Sequence, residues 1–282
     1  MSVRLFDAAR IVADATLYRL KKREMANLVT STTLALALAL PLRDVAHRVA
    51  FGFVLNVFVY LVNDLFDVEI DARAEGRDQA RTRFLSLHLS SGVLGAVSLV
   101  AVAAVIAALH GPGLVAVLGA NVAIIVLYSR WLKRWPIVDI LAMATWGVSM
   151  ALVGCPFDNR TGLALVALLG LLCMVTEGVQ VIRDADTDAA AGLRTTAVVL
   201  GVPGTALATR VLMVVSATYA TLALDRFVGP VLLLGLLPPL RRETASRTWD
   251  LLRALIGLVW LALLGHLRFV GHLSPLLSTF GR

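Results

Sequence analysis

The amino-acid sequence predicts an all-α integral membrane protein, a single membrane domain with about nine transmembrane helices. Two observations support this fold class. The chain is 59% hydrophobic and only 16% charged, with a mean hydropathy of +0.82, whereas soluble domains are nearer half apolar and a quarter charged. The apolar residues also form long runs, and a helix needs about 20 such residues to cross the hydrocarbon core of a bilayer.

The first segment, residues 1–25, is too charged to cross a membrane. Its six basic residues are mixed with apolar residues such as Phe6 and Ile11, a pattern typical of an amphipathic helix on the membrane surface. No cleavable signal peptide is visible, because apolar sequence begins only after these charges. We therefore predict a cytoplasmic amphipathic segment over 1–25, followed by a transmembrane bundle over 26–282.

Nine apolar segments follow, separated by short polar loops and turns. The first ends near Pro41, His110-Gly111-Pro112-Gly113 forms a tight turn between the third and the fourth, and the eighth is the shortest. The predicted spans are residues 25–42, 45–64, 85–109, 114–128, 137–154, 163–182, 206–224, 228–240 and 251–270.

Loop charge predicts the orientation of the bundle. The formal net charge of +7 and the pI near 10.1 come from loop Lys and Arg, without base-stacking aromatic residues interleaved, so we predict no nucleic-acid partner. If alternate loops face opposite sides, 20 Lys and Arg lie on the side of the amino terminus and 6 on the other. The positive-inside rule assigns the first side to the cytoplasm. Cys155 and Cys173 lack metal-ligand spacing and are interpreted as packing residues.

The second span ends in an acidic stripe, Asn63-Asp64-Leu65-Phe66-Asp67-Val68-Glu69-Ile70-Asp71. At about 100° per residue, Asn63 and the three aspartates fall within roughly a quarter-turn of one helix face. Each carboxylate costs about 2.5–3.5 kcal/mol near the bilayer centre, so an aqueous cavity or a cation must lie beside them. The predicted cation is Mg²⁺, a hard ion that takes carboxylate oxygens and shares its shell with substrate phosphates.

A second acidic motif, Arg183-Asp184-Ala185-Asp186-Thr187-Asp188, ends the sixth span. Asp184 and Asp188 are four residues apart and share a helix face, whereas Asp186 points roughly the other way. The two motifs occupy corresponding ends of even-numbered spans, which suggests a pseudo-repeat of two four-helix halves plus one helix. Either motif alone could instead cap a helix or pair with arginines, but the matching positions favour one cavity.

Basic residues surround the predicted acids. They are Arg77, Arg81 and Arg83 after the first motif, Lys133 and Arg134 after the fourth span, and Arg183 and Arg194 beside the second motif. Acids for a metal next to cations for an anion predict a magnesium–diphosphate site in which diphosphate is the leaving group. Tyr128, at the end of the fourth span, is predicted to reach the same group, the alternative being an interfacial aromatic belt.

Together these residues resemble the UbiA superfamily of intramembrane prenyltransferases. The resemblance rests on Asn63-Asp64-x-x-Asp67-x-x-x-Asp71, Tyr128-Ser129…Lys133-Arg134 and Asp184-x-x-x-Asp188-x-x-x-Gly192-Leu193-Arg194-Thr195. It implies nine helices around a central cavity open to the bilayer, and Mg²⁺-dependent transfer of a prenyl group from a polyprenyl diphosphate to an aromatic or other lipid-pathway acceptor. It also implies that the catalytic and Mg²⁺-binding residues are Asp64, Asp67, Asp71, Asp184 and Asp188, and that the diphosphate-binding residues are Asn63, Arg81, Tyr128, Lys133 and Arg194.

Two regions depart from the usual pattern of that family. Residues 81–86 read Arg-Thr-Arg-Phe-Leu-Ser, where many members have Arg-Pro-Leu-Pro followed by Ser-Gly, and residues 23–27 lack the usual Arg-Pro. Both regions border the acceptor side of such sites, so the identity of the acceptor stays open. A terpene cyclase that needs no acceptor is the alternative function within the superfamily.

Two alternative functions come from other classes of membrane protein. A membrane phosphotransferase would carry Asp-Gly with a downstream Ala-Arg, and neither follows Asp67. A transporter would place its coupling acids near the midplane of the membrane, whereas the acids here lie at the predicted cytoplasmic ends of their spans.

Overall fold

The computed structural model describes residues 4–22, 24–72 and 79–276, and within these ranges all regular structure is helical. The α-helices are α1 (Leu5–Lys21), α2 (Ala26–Ala37), α3 (Leu42–Asp71), α4 (Gln79–Leu87), α5 (Leu89–His110), α6 (Pro112–Arg130), α7 (Val138–Ala151), α8 (Arg160–Ala190), α9 (Thr196–Tyr219) and α10 (Ala245–Val270). Short 3₁₀ segments lie at Leu132–Arg134, Leu152–Gly154, Gly229–Leu236 and Arg242–Thr244, and a π turn at Ala220–Leu224 extends α9.

The apolar helices include long and short ones. Six are long and apolar enough to cross a bilayer, and they begin at Leu42, Leu89, Pro112, Arg160, Thr196 and Arg242. The predicted first and fifth spans are shorter apolar helices, Ala26–Ala37 and Val138–Gly154. The predicted all-α, multi-pass membrane fold is confirmed.

The predicted eighth span differs from an ordinary transmembrane helix. It is a 3₁₀ segment, Gly229–Leu236, with a length of about 16 Å for its 8 residues. Pro238 and Pro239 follow after Leu237 and lack backbone N–H groups, so they cannot continue a helical hydrogen-bond ladder.

Two ion pairs mark the opposite ends of the bundle. At one end the carboxyl-terminal part of α8 meets the start of α10, where Arg242 pairs with Asp186 at 2.6 Å. At the other end Asp225 pairs with His266 near the end of α10 at 2.7 Å. The chain between Asp225 and Arg242 therefore runs from one end of the bundle to the other.

Helix α8 lies at the centre of the bundle. Its apolar stretch is 67% buried, compared with 28% for that of α5 and 22% for that of α9. Its buried side chains, including Leu165, Leu168 and Val175, form one core with residues of α9 and α10. Because α8 is held on several sides, the acidic residues at its carboxyl-terminal end have a fixed position.

Helix α9 begins earlier in the chain than the predicted span. The structure begins this helix at Thr196, ten residues before the predicted span, and the conformation breaks at Gly201, where φ is 68°. A positive φ is accessible to Gly without steric cost. Pro203 follows in the first turn after the break, where its missing N–H has no helical partner to lose.

One close approach of backbones carries a stability prediction. A Cβ added at Gly154 would collide with the backbone carbonyl oxygen of Ser31 in α2. Gly154→Ala is therefore expected to lower the unfolding free energy by about 1–3 kcal/mol, as overpacking of a well-packed interior does. Thermal unfolding in detergent measures this. Gly119→Ala in α6 is the matched control, because nothing lies within 4 Å of its added Cβ. Equal midpoints for the two variants would contradict the predicted clash.

Candidate active site

The two acidic motifs meet at one cavity of about 990 Å³. Helix α3 contributes Asn63, Asp67 and Asp71 to its lining, and α8 contributes Asp184 and Asp188. Both helices end at the same end of the bundle, and both continue as helix through their acidic residues. Helical spacing therefore places most of each motif on the wall of a shared cavity, as the sequence predicts.

The remaining aspartate of the second motif lies outside the cavity. Asp186 forms its ion pair with Arg242 and its side chain is 76% exposed. Asp184 accepts two hydrogen bonds from the guanidinium group of Arg183, at 2.8 and 2.7 Å. A cation beside Asp184 lowers the repulsion that the facing carboxylates of α3 and α8 would otherwise feel.

A third side of the cavity is formed by the end of α6 and the segment after it. The Lys133 ammonium group donates to Oδ1 of Asp67. The Tyr128 hydroxyl donates to Oε1 of Glu177 at 2.8 Å, and the Ser129 hydroxyl donates to Oδ1 of Asn63 at 3.4 Å. The predicted phenol and lysine are therefore both at the site, next to both acidic helices.

Asp64 does not line the cavity. Its side chain is 3% exposed and lies between Arg19, at 2.5 Å, and Arg81, at 2.6 Å. Asp64 stands at the edge of the α3 stripe, about 100° around the helix from Asn63, and this edge faces α1 and α4 instead. For Asp64 the alternative interpretation, an acid paired with arginines, describes the structure.

Other predicted phosphate partners also lie away from the cavity. Arg81 pairs with Asp64. Arg83 and Arg194 are exposed and do not line the cavity. The two residues on either side of Arg194, which are Leu193 and Thr195, do line it. Arg77 lies outside the described residues.

Sequence reasoning missed an ion-pair network that joins α1 to α3. Arg19 donates to Oε2 of Glu24 at 2.5 Å as well as to Asp64, and the Tyr60 hydroxyl donates to the carbonyl of Glu24 at 2.6 Å. Burial alone would lower the pKa of Arg19, but the carboxylates of Asp64 and Glu24 outweigh it and raise this pKa. The pattern of α1 identifies Arg19 only as a surface charge, and no sequence signal marks its partners.

Removing the central arginine should destabilise the protein. Removing one partner of a buried ion pair typically costs about 3–5 kcal/mol. In Arg19→Met, Asp64 still pairs with Arg81, so the expected loss is at the low end of this range, about 3 kcal/mol. Chemical unfolding in detergent micelles measures it. Arg10→Met is the control, since Arg10 pairs with Asp14 on an exposed face and such pairs contribute about 0–1 kcal/mol. A loss at Arg19 no larger than at Arg10 would show that the network does not stabilise the fold.

Sequence reasoning also missed Glu177. This residue of α8 is 7% exposed and lines the cavity. A signal was present, because Glu177, Asp184 and Asp188 are spaced by seven and four residues and therefore share one helix face. The motif was identified only from the acids at the end of the span, and an acid inside the apolar run was passed over.

A further buried acid positions the loop beside the second motif. Asp139, at the start of α7, accepts hydrogen bonds from the backbone N–H of Thr196 at 2.7 Å and from its hydroxyl group. The neighbouring Thr195 hydroxyl donates to Oδ2 of Asp188 at 3.1 Å. Asp139 therefore anchors the start of α9, which in turn orients Asp188.

The donors in the cavity fit Mg²⁺ shared with a phosphate group. Within residues 4–22, 24–72 and 79–276, no three His, Cys, Asp or Glu side chains converge as a metal site, so the five predicted ligands are not assembled around one point. The aspartates of α3 and α8 in the cavity nevertheless offer oxygen atoms, the ligands that Mg²⁺ prefers. Mg²⁺ typically takes only one or two carboxylates and completes its shell with water and substrate phosphates. The four aspartates of α3 and α8 in the cavity can supply these carboxylates.

Known structures share this fold. No curated protein matches the sequence. The structure is similar to a UbiA homologue from Archaeoglobus fulgidus, solved bound to GPP and Mg²⁺ and to DMAPP and Mg²⁺; each comparison has 17% identity and a TM-score of 0.63, and covers 86% of this chain and 97% of the other. It is also similar to a digeranylgeranylglyceryl phosphate synthase, with 13% identity and a TM-score of 0.65 over 91% of this chain and 97% of that one.

The sequence itself carries the family relationship. The match to the UbiA prenyltransferase family extends over residues 27–250, which includes both acidic motifs, Tyr128 and Lys133. The parts of α3, α6 and α8 that line the cavity thus lie within the matched region, and the chain belongs to the UbiA prenyltransferase family.

Proposed function

We propose that this protein is a Mg²⁺-dependent intramembrane prenyltransferase. It ionises a polyprenyl diphosphate and transfers the prenyl group to an aromatic or other lipid-pathway acceptor, with release of diphosphate. The convergence of the α3 and α8 acids on one cavity with Lys133 is the observation that carries this proposal. Family membership and the similar fold of a homologue solved with GPP or DMAPP and Mg²⁺ support it.

The head group of the substrate binds at the acidic end of the cavity. Asp67, Asp71, Asp184 and Asp188 are proposed to hold Mg²⁺, which when bound neutralises the charge that develops on the leaving diphosphate. Lys133 donates to a phosphate oxygen, and Asn63 orients the head group beside it. These groups are fixed before the carbon–oxygen bond breaks, so they stabilise the transition state without reorganisation.

Three predicted residues have a different place in this proposal. Asp64 joins the Mg²⁺ set only when Arg19 and Arg81 release it, and otherwise it holds both arginines beside the head group. Arg81 and Arg194 reach the diphosphate only by moving towards the cavity after the substrate binds.

The prenyl tail lies in the deeper, apolar part of the cavity. Met143, Trp146 and Leu172 line this part. Val29 of α2 and Leu261 of α10 also line the cavity although they are 58% and 55% exposed, so the cavity reaches the outer surface between these helices. A tail can enter there from the bilayer, and the apolar walls keep water from the allylic cation.

We also propose nine membrane crossings in one domain of residues 1–282, with the acidic end of the bundle facing the cytoplasm. The segment 225–241 supplies the eighth crossing, because it joins opposite ends of the bundle as a 3₁₀ helix followed by a few residues without regular structure. The loop charges support the orientation. Helix α1 is not one of the crossings, and its buried face consists of Ala8, Ile11 and Ala15.

The proposal is tested by incubating the purified protein with geranyl, farnesyl and geranylgeranyl diphosphates, with and without Mg²⁺ and candidate acceptors. We expect Mg²⁺-dependent diphosphate release and a prenylated product that requires an acceptor. A hydrocarbon product formed without acceptor would establish the terpene-cyclase alternative. If no prenyl diphosphate releases diphosphate under any of these conditions, the proposal is wrong.

A further inference from the structure

Glu177 is a buried carboxylate in the cavity that neither Mg²⁺ nor diphosphate requires. It lies two helical turns, about 10 Å along α8, from Asp184, on the side towards the centre of the span. Its Oε1 accepts from the Tyr128 hydroxyl at 2.8 Å, and its Oε2 accepts from the Gln180 amide at 3.2 Å. Both partners are neutral donors, so the contacts that the structure gives Glu177 contain no ion pair.

The other acids of the cavity lining have different partners. Asp67, Asp71, Asp184 and Asp188 stand at the end where the diphosphate is proposed to bind. Glu24 pairs with Arg19, and both oxygens of Asp139 accept hydrogen bonds from Thr196. Among the acids that line the cavity in the described ranges, Glu177 is thus the one placed beyond the head group and towards the apolar part.

The chemistry of the proposed reaction creates a proton at this depth. When the allylic cation is captured, a new bond forms from its C1 to an acceptor carbon or oxygen, and the C–H or O–H bond of the acceptor breaks. The electron pair of that bond stays with the acceptor, and its proton must go to a base. If the cation cyclises instead, a C–H bond next to the cationic carbon breaks to form an alkene, and again one proton is released.

We propose that Glu177 is the general base that removes this proton, which in transfer to an acceptor comes from a hydroxyl group or an activated aromatic ring. This inference rests on the proposed function. Tyr128 orients the base through its one hydroxyl proton. Because that proton is donated to Glu177 in this structure, Tyr128 can donate to a diphosphate oxygen only by leaving Glu177.

The test separates ionisation from proton removal. Ionisation without net reaction scrambles ¹⁸O from the bridging to the non-bridging positions of a prenyl diphosphate, and it is measured without acceptor. Glu177→Gln keeps an oxygen for the Tyr128 hydrogen bond and so preserves the local structure. We expect ¹⁸O scrambling near the wild-type rate, while product formation falls about 10²-fold or more, as for loss of a general base. Glu69→Gln is the matched control, because Glu69 is exposed on α3, and it should change neither rate.

A second variant distinguishes a base from a residue with only a structural role. In Glu177→Ala, added formate is expected to restore product formation in part, because it can accept the proton in the vacated space. The inference is wrong if Glu177→Gln forms product at the wild-type rate, if it loses scrambling and product together, or if formate restores nothing. If the wild-type protein neither scrambles ¹⁸O nor releases diphosphate, the proposed function itself fails.

Discussion

Replacement of Asp67 or Asp188 by Asn is expected to abolish Mg²⁺-dependent release of diphosphate, with a fall in kcat of about 10³-fold or more, comparable to the loss of a main electrostatic contact in a transition state. Asp67 stands on α3 beside Lys133, and Asp188 faces it from α8, oriented by Thr195. Each substitution keeps the size of the side chain but removes a negative charge, so the variant loses affinity for a divalent cation while the helix remains intact.

The measurement is release of diphosphate from a prenyl diphosphate over a range of Mg²⁺ concentrations. Asp186→Asn is the matched control, because it makes the same chemical change on the same helix, two residues from Asp188, at a side chain that points out of the cavity. The control should keep wild-type activity. If Asp67→Asn and Asp188→Asn keep most of their activity, or if Asp186→Asn loses as much as they do, the cavity acids are not the magnesium site.

The second large effect is expected at Lys133. Lys133→Gln removes the cation that contacts Asp67, and with it a donor to the diphosphate. The free enzyme then has Asp67 next to other carboxylates without its positive partner, and the bound substrate has one charge-assisted hydrogen bond fewer. We expect kcat/KM to fall by about 10²–10³-fold, the range for the loss of one such donor. Steady-state kinetics with a prenyl diphosphate at saturating Mg²⁺ measures this fall.

Arg134→Gln is the control for Lys133. Arg134 is the next residue in the same 3₁₀ segment, but its side chain is exposed and outside the cavity lining. A specific contact predicts a loss at Lys133 alone. Similar losses for both variants would show that the general positive charge of this loop attracts the substrate, and that Lys133 has no direct contact with the diphosphate.

Much of the fold and of the site could be predicted because the relevant rules are local. A run of apolar residues must be helical to cross a bilayer, so the positions of most helices follow from composition and length. The spacing of Asp67 and Asp71, and of Asp184 and Asp188, places each pair on one helix face wherever the helix lies. The predicted meeting of the two pairs needed one more premise, the matching ends of α3 and α8, and the cavity agrees with it.

The eighth segment shows where such local rules stop. Residues 228–240 are apolar and were predicted as an ordinary span, yet the structure has a 3₁₀ segment over Gly229–Leu236. Apolar character indicates that a segment is buried or faces lipid but does not fix its rise per residue. Its conformation depends on the distance between Asp225 and Arg242, which the packing of α9 and α10 sets.

By itself the sequence determined that the chain is a helical membrane protein and that two acidic helix faces carry its chemistry, because helical periodicity and the demands of the bilayer act on each segment separately. Only the tertiary structure decided that Asp64 pairs with Arg19 and Arg81 and that Glu177 lies in the cavity beside Tyr128. Arg19 and Asp64 are 45 residues apart, and Tyr128 and Glu177 are 49 apart. The partner of a buried charge is set by which helices pack together, and no pattern within one helix encodes that choice.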